Sequence, residues 1–289
     1  LAGRIHGLGD SIAVVRPLSI AAVGVLSIAA FLLRPRVIGA AGFCLTLAAS
    51  LSLLPPAPVS AVPDNAKTYS AYQKNLLFRL PDVRPVAEDI LKSGADFVML
   101  QELHARNRPI LNQLRTEYPY QHFCPFSSVG GIAVLSRWPS VEDSTLCGDG
   151  GGLAAMQIDT PDGPLWVVSL HLHWPFPYRQ PEQVEALLPV LEPLDGPIVV
   201  GGDFNMVPWS HAVEAISRTT TTALSGFAGG TFTFSHNEDE QSLASWLPRI
   251  PIDHILVPET AARLSLQRRQ RLGSDHYGLL ATFALDARF

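Results

Sequence analysis

Two charge-free stretches, Leu18–Leu33 and Val37–Leu54, dominate the start of the chain, with Arg34-Pro35-Arg36 between them. A helix that crosses a bilayer needs about 20 apolar residues, with a range of about 17–25. The second stretch reaches that range. The first falls short unless it extends back to Ile12, which takes in Arg16, whose long side chain can reach an interface. The alternative is a pair of core helices. Neither run shows the period of a helix with one wet face, and proline and polar residues follow abruptly. Two runs also argue against a single cleavable leader. The expectation is a transmembrane hairpin with helices at about 12–33 and 37–54, so that residues 1–54 form a membrane segment. Residues 55–66, PPAPVSAVPDNA, read as a proline-extended linker. Arg34 and Arg36 would mark a cytoplasmic tip by the positive-inside rule, placing everything after Leu54 outside the cytoplasm; Arg4 and Arg16 flank the other end in equal number. The chain opens on Leu1 rather than Met, so the natural start is expected to lie upstream or to use an unusual codon.

Residues 67–289 have a different texture. Strand-like runs recur: Thr68–Phe78, 96–100 (DFVML), 130–136 (GGIAVLS), 153–159, 164–171, 197–205 (PIVVGGDFN), 251–257 and 276–285. Helical spacing is seen at Val83–Ser93, Asn107–Glu117, Glu182–Leu191 and near His211–Ile216. The mixture predicts an α/β layered domain. The net charge of -5 excludes a generally basic nucleic-acid binder. Cys44 lies in an apolar run. Cys124 and Cys147 read as two independent small core residues; in an extracytoplasmic domain they could instead form a disulfide. No zinc spacing is present.

Polar residues stand at the ends of these strands. Glu102 follows a buried-looking run, where an unpaired carboxylate is costly. Asp203 and Asn205 are two apart, so in an extended segment they share a face; an Asx turn after a strand is the plain alternative. Gly201 and Gly202 would leave room for a substrate, or form a bulge. His171 ends a strand. Asp253-His254 and Asp275-His276 begin two others. Each is unremarkable alone. Gathered on one rim they suit phosphoester hydrolysis: carboxylate and amide oxygens are hard ligands for Mg²⁺, Asp or His can take a proton from water, and imidazole and carboxamide can hydrogen-bond the phosphoryl oxygens. A G-x-S-x-G elbow, a Walker loop and a cysteine nucleophile are absent.

In order along the chain stand Asn75 in YQKNLLF, LQE (100–102), GIAVLSR (131–137), SLHLHWP (169–175), GGDFN (201–205), PIDHILV (251–257) and SDH (274–276). This ordered set resembles the endonuclease/exonuclease/phosphatase superfamily over residues 67–289, and in particular bacterial members that carry membrane helices ahead of the catalytic domain. The resemblance implies a four-layered α/β sandwich, two central mixed β-sheets flanked by helices, with the site at one end. It implies Mg²⁺ or Mn²⁺, with Glu102 as principal ligand and Asn75 and Asp275 close by. It implies that His276 acts on the phosphate or the water, oriented by Asp253, that Asp203 holds or deprotonates the water, and that Asn205 and His171 bind phosphate oxygens. Whether Asp203 or His276 is the base stays open. Two departures stand out. Lys74 precedes Asn75 and would add charge beside the metal, and PIDH replaces the commoner Arg-Ile-Asp-Tyr.

The resulting expectation is a membrane-anchored, metal-dependent phosphoesterase of the bacterial inner membrane, attached through residues 12–54 and monomeric. Its substrate would be a nucleic acid, nucleotide, lipid or sugar phosphate. The competing reading is a binding or scaffold module that keeps the fold without catalysis. Arg263, Arg268, Arg269 and Arg271 form either a basic patch or a solvated face. Trp174, Phe176 and Tyr178 either line a pocket mouth or pack.

Overall fold

The computed structural model describes residues 2–33, 36–53, 62, 66–148, 151–234 and 247–285. The expected linker, 55–66, lies almost wholly outside the described residues. In chain order the elements are α1 (Leu8–Leu33), α2 (Arg36–Leu51), β1 (Lys67–Asn75), α3 (Arg84–Ser93), β2 (Phe97–Leu103), α4 (Ile110–Leu114), β3 (Tyr120–Ser127), β4 (Gly130–Ser136), β5 (Ser140–Cys147), β6 (Leu153–Thr160), β7 (Gly163–His171), α5 (Gln180–Leu191), β8 (Ile198–Asp203), α6 (His211–Thr219), β9 (Thr222–Leu224), β10 (Asp253–Pro258), β11 (Ala262–Arg268) and β12 (Leu279–Leu285).

Two six-stranded mixed sheets form, in the orders β11-β12-β1-β2-β4-β3 and β5-β6-β7-β8-β10-β9. Their inner faces interdigitate through residues such as Phe97, Met99, Ile132, Met156, Val167, Val199 and Phe283, all buried. The helices α3 and α4 cover the first sheet through Val86, Ile90, Ile110 and Leu114. On the other side α5 and α6 cover the second through Leu187, Leu191, Val213 and Ile216. The four layers are therefore helix, sheet, sheet, helix, as expected.

Each sheet has one parallel pair near its centre, β1 with β2 and β7 with β8. Parallel strands end at the same rim, whereas their antiparallel neighbours begin there. This topology delivers Asn75, Glu102, His171 and Asp203 from strand ends and Asp253 from a strand start to one edge of the sandwich. In the second sheet His171 and Asp253 both lie in register with Asp203, one on each side.

The structure corrects several expectations. Cys124 and Cys147 are joined in a disulfide, which ties β3 to β5, the edge strands of the two sheets; they are not independent core residues. The glycines of GGDFN serve packing rather than substrate access. A Cβ at Gly201 would lie 2.5 Å from Met99 Cε of the facing sheet, and one at Gly202 would lie 2.0 Å from the Leu170 carbonyl oxygen. Strands β3, β5, β9 and β11 were not foreseen, and the helix expected over Asn107–Glu117 shrinks to Ile110–Leu114.

The N-terminal helices differ in extent from the expected 12–33 and 37–54. The first begins at Leu8 and the second ends at Leu51. They pack on each other as a hairpin, with the Arg16 guanidinium donating to Ser52 Oγ at its base. Of the two, α1 is long and apolar enough to cross a membrane, while α2 is a shorter apolar helix.

Candidate active site

The rim opens into a cleft of about 680 Å³ whose walls include Glu102, His171, Asp203, Asn205, Asp275 and His276. Six of the eight expected residues thus line one cavity. The remaining two, Asn75 and Asp253, are buried directly behind it.

Glu102 reaches the cleft because β2 breaks register against β4 between Leu100 and Leu103. Glu102 itself sits at φ 59, a conformation that costs a residue with a side chain about 1–3 kcal/mol. Such a bulge re-aims a side chain that regular pleating would send elsewhere. Its carboxylate accepts from the Phe78 backbone N–H at 2.7 Å and from Asn75 Nδ2 at 3.1 Å. Burial pushes the Glu102 carboxyl up in pKa, with these two donors pulling the other way.

Asn75 donates from the same Nδ2 to Asp203 Oδ2 at 3.0 Å, while its Oδ1 accepts from the Leu77 N–H. It therefore bridges the first sheet to the second. Asp203 Oδ1 accepts from the Asn205 backbone N–H at 2.8 Å, and Asn205, at φ 47, donates from Nδ2 to the Leu172 carbonyl. An Asx turn does follow β8, and it also builds the site, because it holds both side chains on the cleft.

His276 Nδ1 meets Asp253 Oδ2 at 2.9 Å, and its Nε2 faces Asp203 Oδ2 at 3.7 Å. With Asp253 accepting at Nδ1, the imidazole presents Nε2 to the cleft. Burial alone would lower its pKa, but Asp253 and Asp203 outweigh burial and hold it well above the usual histidine range. Burial raises Asp203, with the His276 cation opposing. Asp253 goes the other way: burial raises it, and the His276 charge and hydrogen bond bring it below the ordinary value. His171 Nε2 lies 3.6 Å from Asp203 and 4.0 Å from Glu102. Burial and then the His276 charge lower His171 to about 3, so it is a neutral imidazole.

Sequence reasoning missed the buried support. Gln73 Nε2 donates to Gln101 Oε1 at 2.8 Å and to Asp253 Oδ1 at 2.9 Å, and Gln101 Nε2 donates to Ser169 Oγ at 2.9 Å. This amide chain crosses between the sheets beneath the cleft. The signal was the alternation of Gln73 and Asn75 on one face of β1. The same alternation sends Lys74 to the opposite face from Asn75, although its charge is still felt by Asp253 and Asp275. Its fully buried ammonium donates to the carbonyls of Arg271 at 2.8 Å and His276 at 2.6 Å. Burial lowers Lys74 to about 7. Nor do the arginines of the C-terminal run form a free basic patch: Arg268 lies over the Tyr277 ring and Arg269 pairs with Asp89. Both readings of the aromatic segment hold. Trp174 and Tyr178 line the cleft, whereas Phe176 packs against His6.

The family profile described as Endonuclease/Exonuclease/phosphatase family matches residues 73–276. The chain belongs to the endonuclease/exonuclease/phosphatase family. Its fold is similar to that of solved members and relatives. An endonuclease/exonuclease/phosphatase from Beutenbergia cavernae superposes with a TM-score of 0.59 at 19% identity, covering 76% of this chain and 72% of that one. Truncated TDP2 from Caenorhabditis elegans gives a TM-score of 0.59 at 16% identity, over 75% and 98% of the two chains. Sphingomyelinase C from Streptomyces griseocarneus gives 0.51 at 18% identity, over 75% and 99%. Comparison with curated protein sequences finds no match.

The donor set of this family member fits a hard divalent cation. Glu102, Asp203 and Asp275 line the cleft and Asp253 lies just behind, around the single imidazolium of His276. That excess of buried negative charge is what a divalent cation with oxygen ligands relieves. Asp203, Asp253 and His276 bring one ligand atom each within 4.8 Å of one another.

Proposed function

We propose that this family member is a membrane-anchored, Mg²⁺- or Mn²⁺-dependent phosphoesterase that hydrolyses its substrate by attack of water. One observation carries the reading: His276, held by Asp253 at 2.9 Å, presents Nε2 at 3.7 Å from Asp203 inside a cleft that also holds Glu102, His171 and Asn205. A cation–carboxylate couple facing open space can hold a water and stabilise a phosphoryl group at once.

Glu102, with Asp275 and the Asn75 amide behind it, would hold the metal, which when bound supplies Lewis-acid stabilisation of charge on the phosphoryl oxygens. Asp203 orients the water and accepts its proton. His276 and the neutral His171, with Asn205, hydrogen-bond the phosphate oxygens as they gain charge. The anchor is the apolar hairpin, and a disulfide in the downstream domain supports an extracytoplasmic placement at the inner membrane of a bacterium. Chelator-sensitive hydrolysis of bis(4-nitrophenyl) phosphate by the full chain, lost in His276→Ala, tests the reading. A fully folded chain with no turnover in Mg²⁺ or Mn²⁺ would favour the non-catalytic scaffold instead.

A further inference from the structure

The hairpin is not a loose tether. Asp10, buried at the start of α1, accepts from the backbone N–H groups of His211 at 2.8 Å and Ala212 at 3.0 Å, the first turn of α6. Trp209 Nε1 donates to the Ala13 carbonyl at 2.8 Å. Ser11 Oγ donates to the Phe176 carbonyl at 2.6 Å. The last contact matters most, because Trp174, Pro177, Tyr178 and Arg179 around Phe176 form one wall of the cleft. The lip of the cleft is thereby fixed to the second turn of α1.

Beyond this dock the helix changes character. Among the described residues, Leu18, Val25, Leu26, Leu32 and Leu33 are exposed, as are Val37, Ile38, Leu45 and Leu51 on α2. The length from Pro17 to Leu33 is about 25 Å at 1.5 Å per residue, close to the ~30 Å hydrocarbon thickness. Arg16 and Ser52 meet at the base of the hairpin, where the hydrocarbon would end. From Pro17 back to Ser11 is about 9 Å. The headgroup layer on each side of a bilayer is roughly 5–8 Å deep. The lip is therefore set at the outer edge of the lipid headgroups. It carries Trp174, Phe176 and Tyr178, exposed by 40%, 40% and 64%, residue types that favour the membrane–water boundary.

We propose that the substrate is a phosphodiester lipid of the bilayer in which the chain's own hairpin stands, entering the cleft over the lip formed by Trp174, Phe176 and Tyr178. This rests on the phosphoesterase and membrane readings above. Water adds its oxygen to phosphorus, the bond from phosphorus to one of its two ester oxygens breaks, and the departing alcohol leaves with one of the water's protons. No electron donor or acceptor is needed.

The test uses the full chain reconstituted, with Mg²⁺, in vesicles of phosphatidylethanolamine, phosphatidylglycerol, phosphatidylinositol and cardiolipin in equal parts. Lipid products are followed by mass spectrometry, alongside turnover of soluble bis(4-nitrophenyl) phosphate in the same sample. A variant with seven helix-forming residues inserted between Val15 and Arg16 lifts the lip by about 10 Å. The expected result is cleavage of lipid only in vesicles that carry the protein, lost at least tenfold in the insertion variant while soluble-ester turnover stays within twofold. Lipid left intact while the soluble ester is cleaved overturns the proposal and leaves the phosphoesterase reading standing. Equal cleavage by the insertion variant, or in protein-free vesicles, also overturns it. Turnover of neither substrate by the unaltered chain removes the phosphoesterase reading and the proposal with it. If the insertion variant is inactive on both, Asp10→Ala decides, since it loosens the dock without lengthening the helix. The same split between substrates is expected there, and its absence overturns the proposal.

Discussion

At the scale of single residues, the candidate site sets opposing charge states side by side, held in place by burial. His276 is pushed up to about 10 because its two carboxylates overcome its burial, and Asp203 is raised to about 7 because burial outweighs His276. In the proposed mechanism, with Asp203 as the base and His276 as the cation, the active form would have Asp203 ionised and His276 protonated. Activity should rise as pH increases through the Asp203 titration and fall as pH increases through that of His276, giving a bell with an alkaline limb that disappears in His276→Ala. A bound divalent cation favours the ionised carboxylate and moves the acid limb to lower pH, so the limb should shift with metal concentration. The variants His276→Ala and Asp203→Asn should each lose about 10²–10⁴-fold in kcat. Asp253→Asn, which leaves the imidazole present but misheld, should lose less. Glu102→Gln should raise the Mg²⁺ concentration needed for half-maximal activity while the far-UV circular dichroism stays unchanged; full activity at limiting Mg²⁺ would rule out Glu102 as the principal ligand.

Between residues and the whole molecule stand the elements and the few side chains that tie them. Lys74 caps carbonyls of the segment that carries Asp275 and His276. Its removal in Lys74→Ala leaves the buried His276 carbonyl without its donor, at about 1–3 kcal/mol, while the Arg271 carbonyl keeps the Ser274 N–H at 3.1 Å, so a lower melting temperature together with a fall in kcat is expected. The disulfide between Cys124 and Cys147, 23 positions apart, joins the outer strands β3 and β5. Closing a loop of that size is worth roughly 3 kcal/mol by loop-closure entropy. Thermal melts with and without reductant should therefore differ by about 6–12 °C for a domain of this size. An unchanged melt would show that the edges of the sandwich hold without the staple.

For the whole molecule, the hairpin and the catalytic domain make two demands on solvent. The full chain should require detergent for extraction, because so much of the hairpin's apolar surface is uncovered. A chain starting at about Val62 should be soluble, because the strands with α3–α6 enclose most of the core and α1 adds Ala13 and Val14 at its edge. It should still show the loss of the dock: without the Ala13 carbonyl, Trp209 gains contact with water, and tryptophan emission should move to longer wavelength. Recovery of the full chain in the aqueous fraction without detergent would overturn the membrane reading.

Much of this was legible in the chain itself. Apolar runs without a wet face announced the hairpin, and strand-sized runs ending in Glu102, His171 and Asp203 announced the rim, because a two-residue period and a polar residue at a strand end are local properties. The face on which Lys74 points was also local, and strict alternation would have put it opposite Asn75. What the sequence could not fix were relations between distant segments. The left-handed turn at Glu102 exists because β2 slips against β4. The amide chain from Ser169 through Gln101 and Gln73 to Asp253 needs four strands from two sheets. The role of Gly201 depends on Met99 across the core, and the pairing of Cys124 with Cys147 depends on two sheet edges meeting. Asp10 finds its partners only because packing sets the start of α6 against α1. Period and composition act within a few residues of the backbone, whereas these contacts depend on where packing brings chain segments that lie tens or hundreds of residues apart.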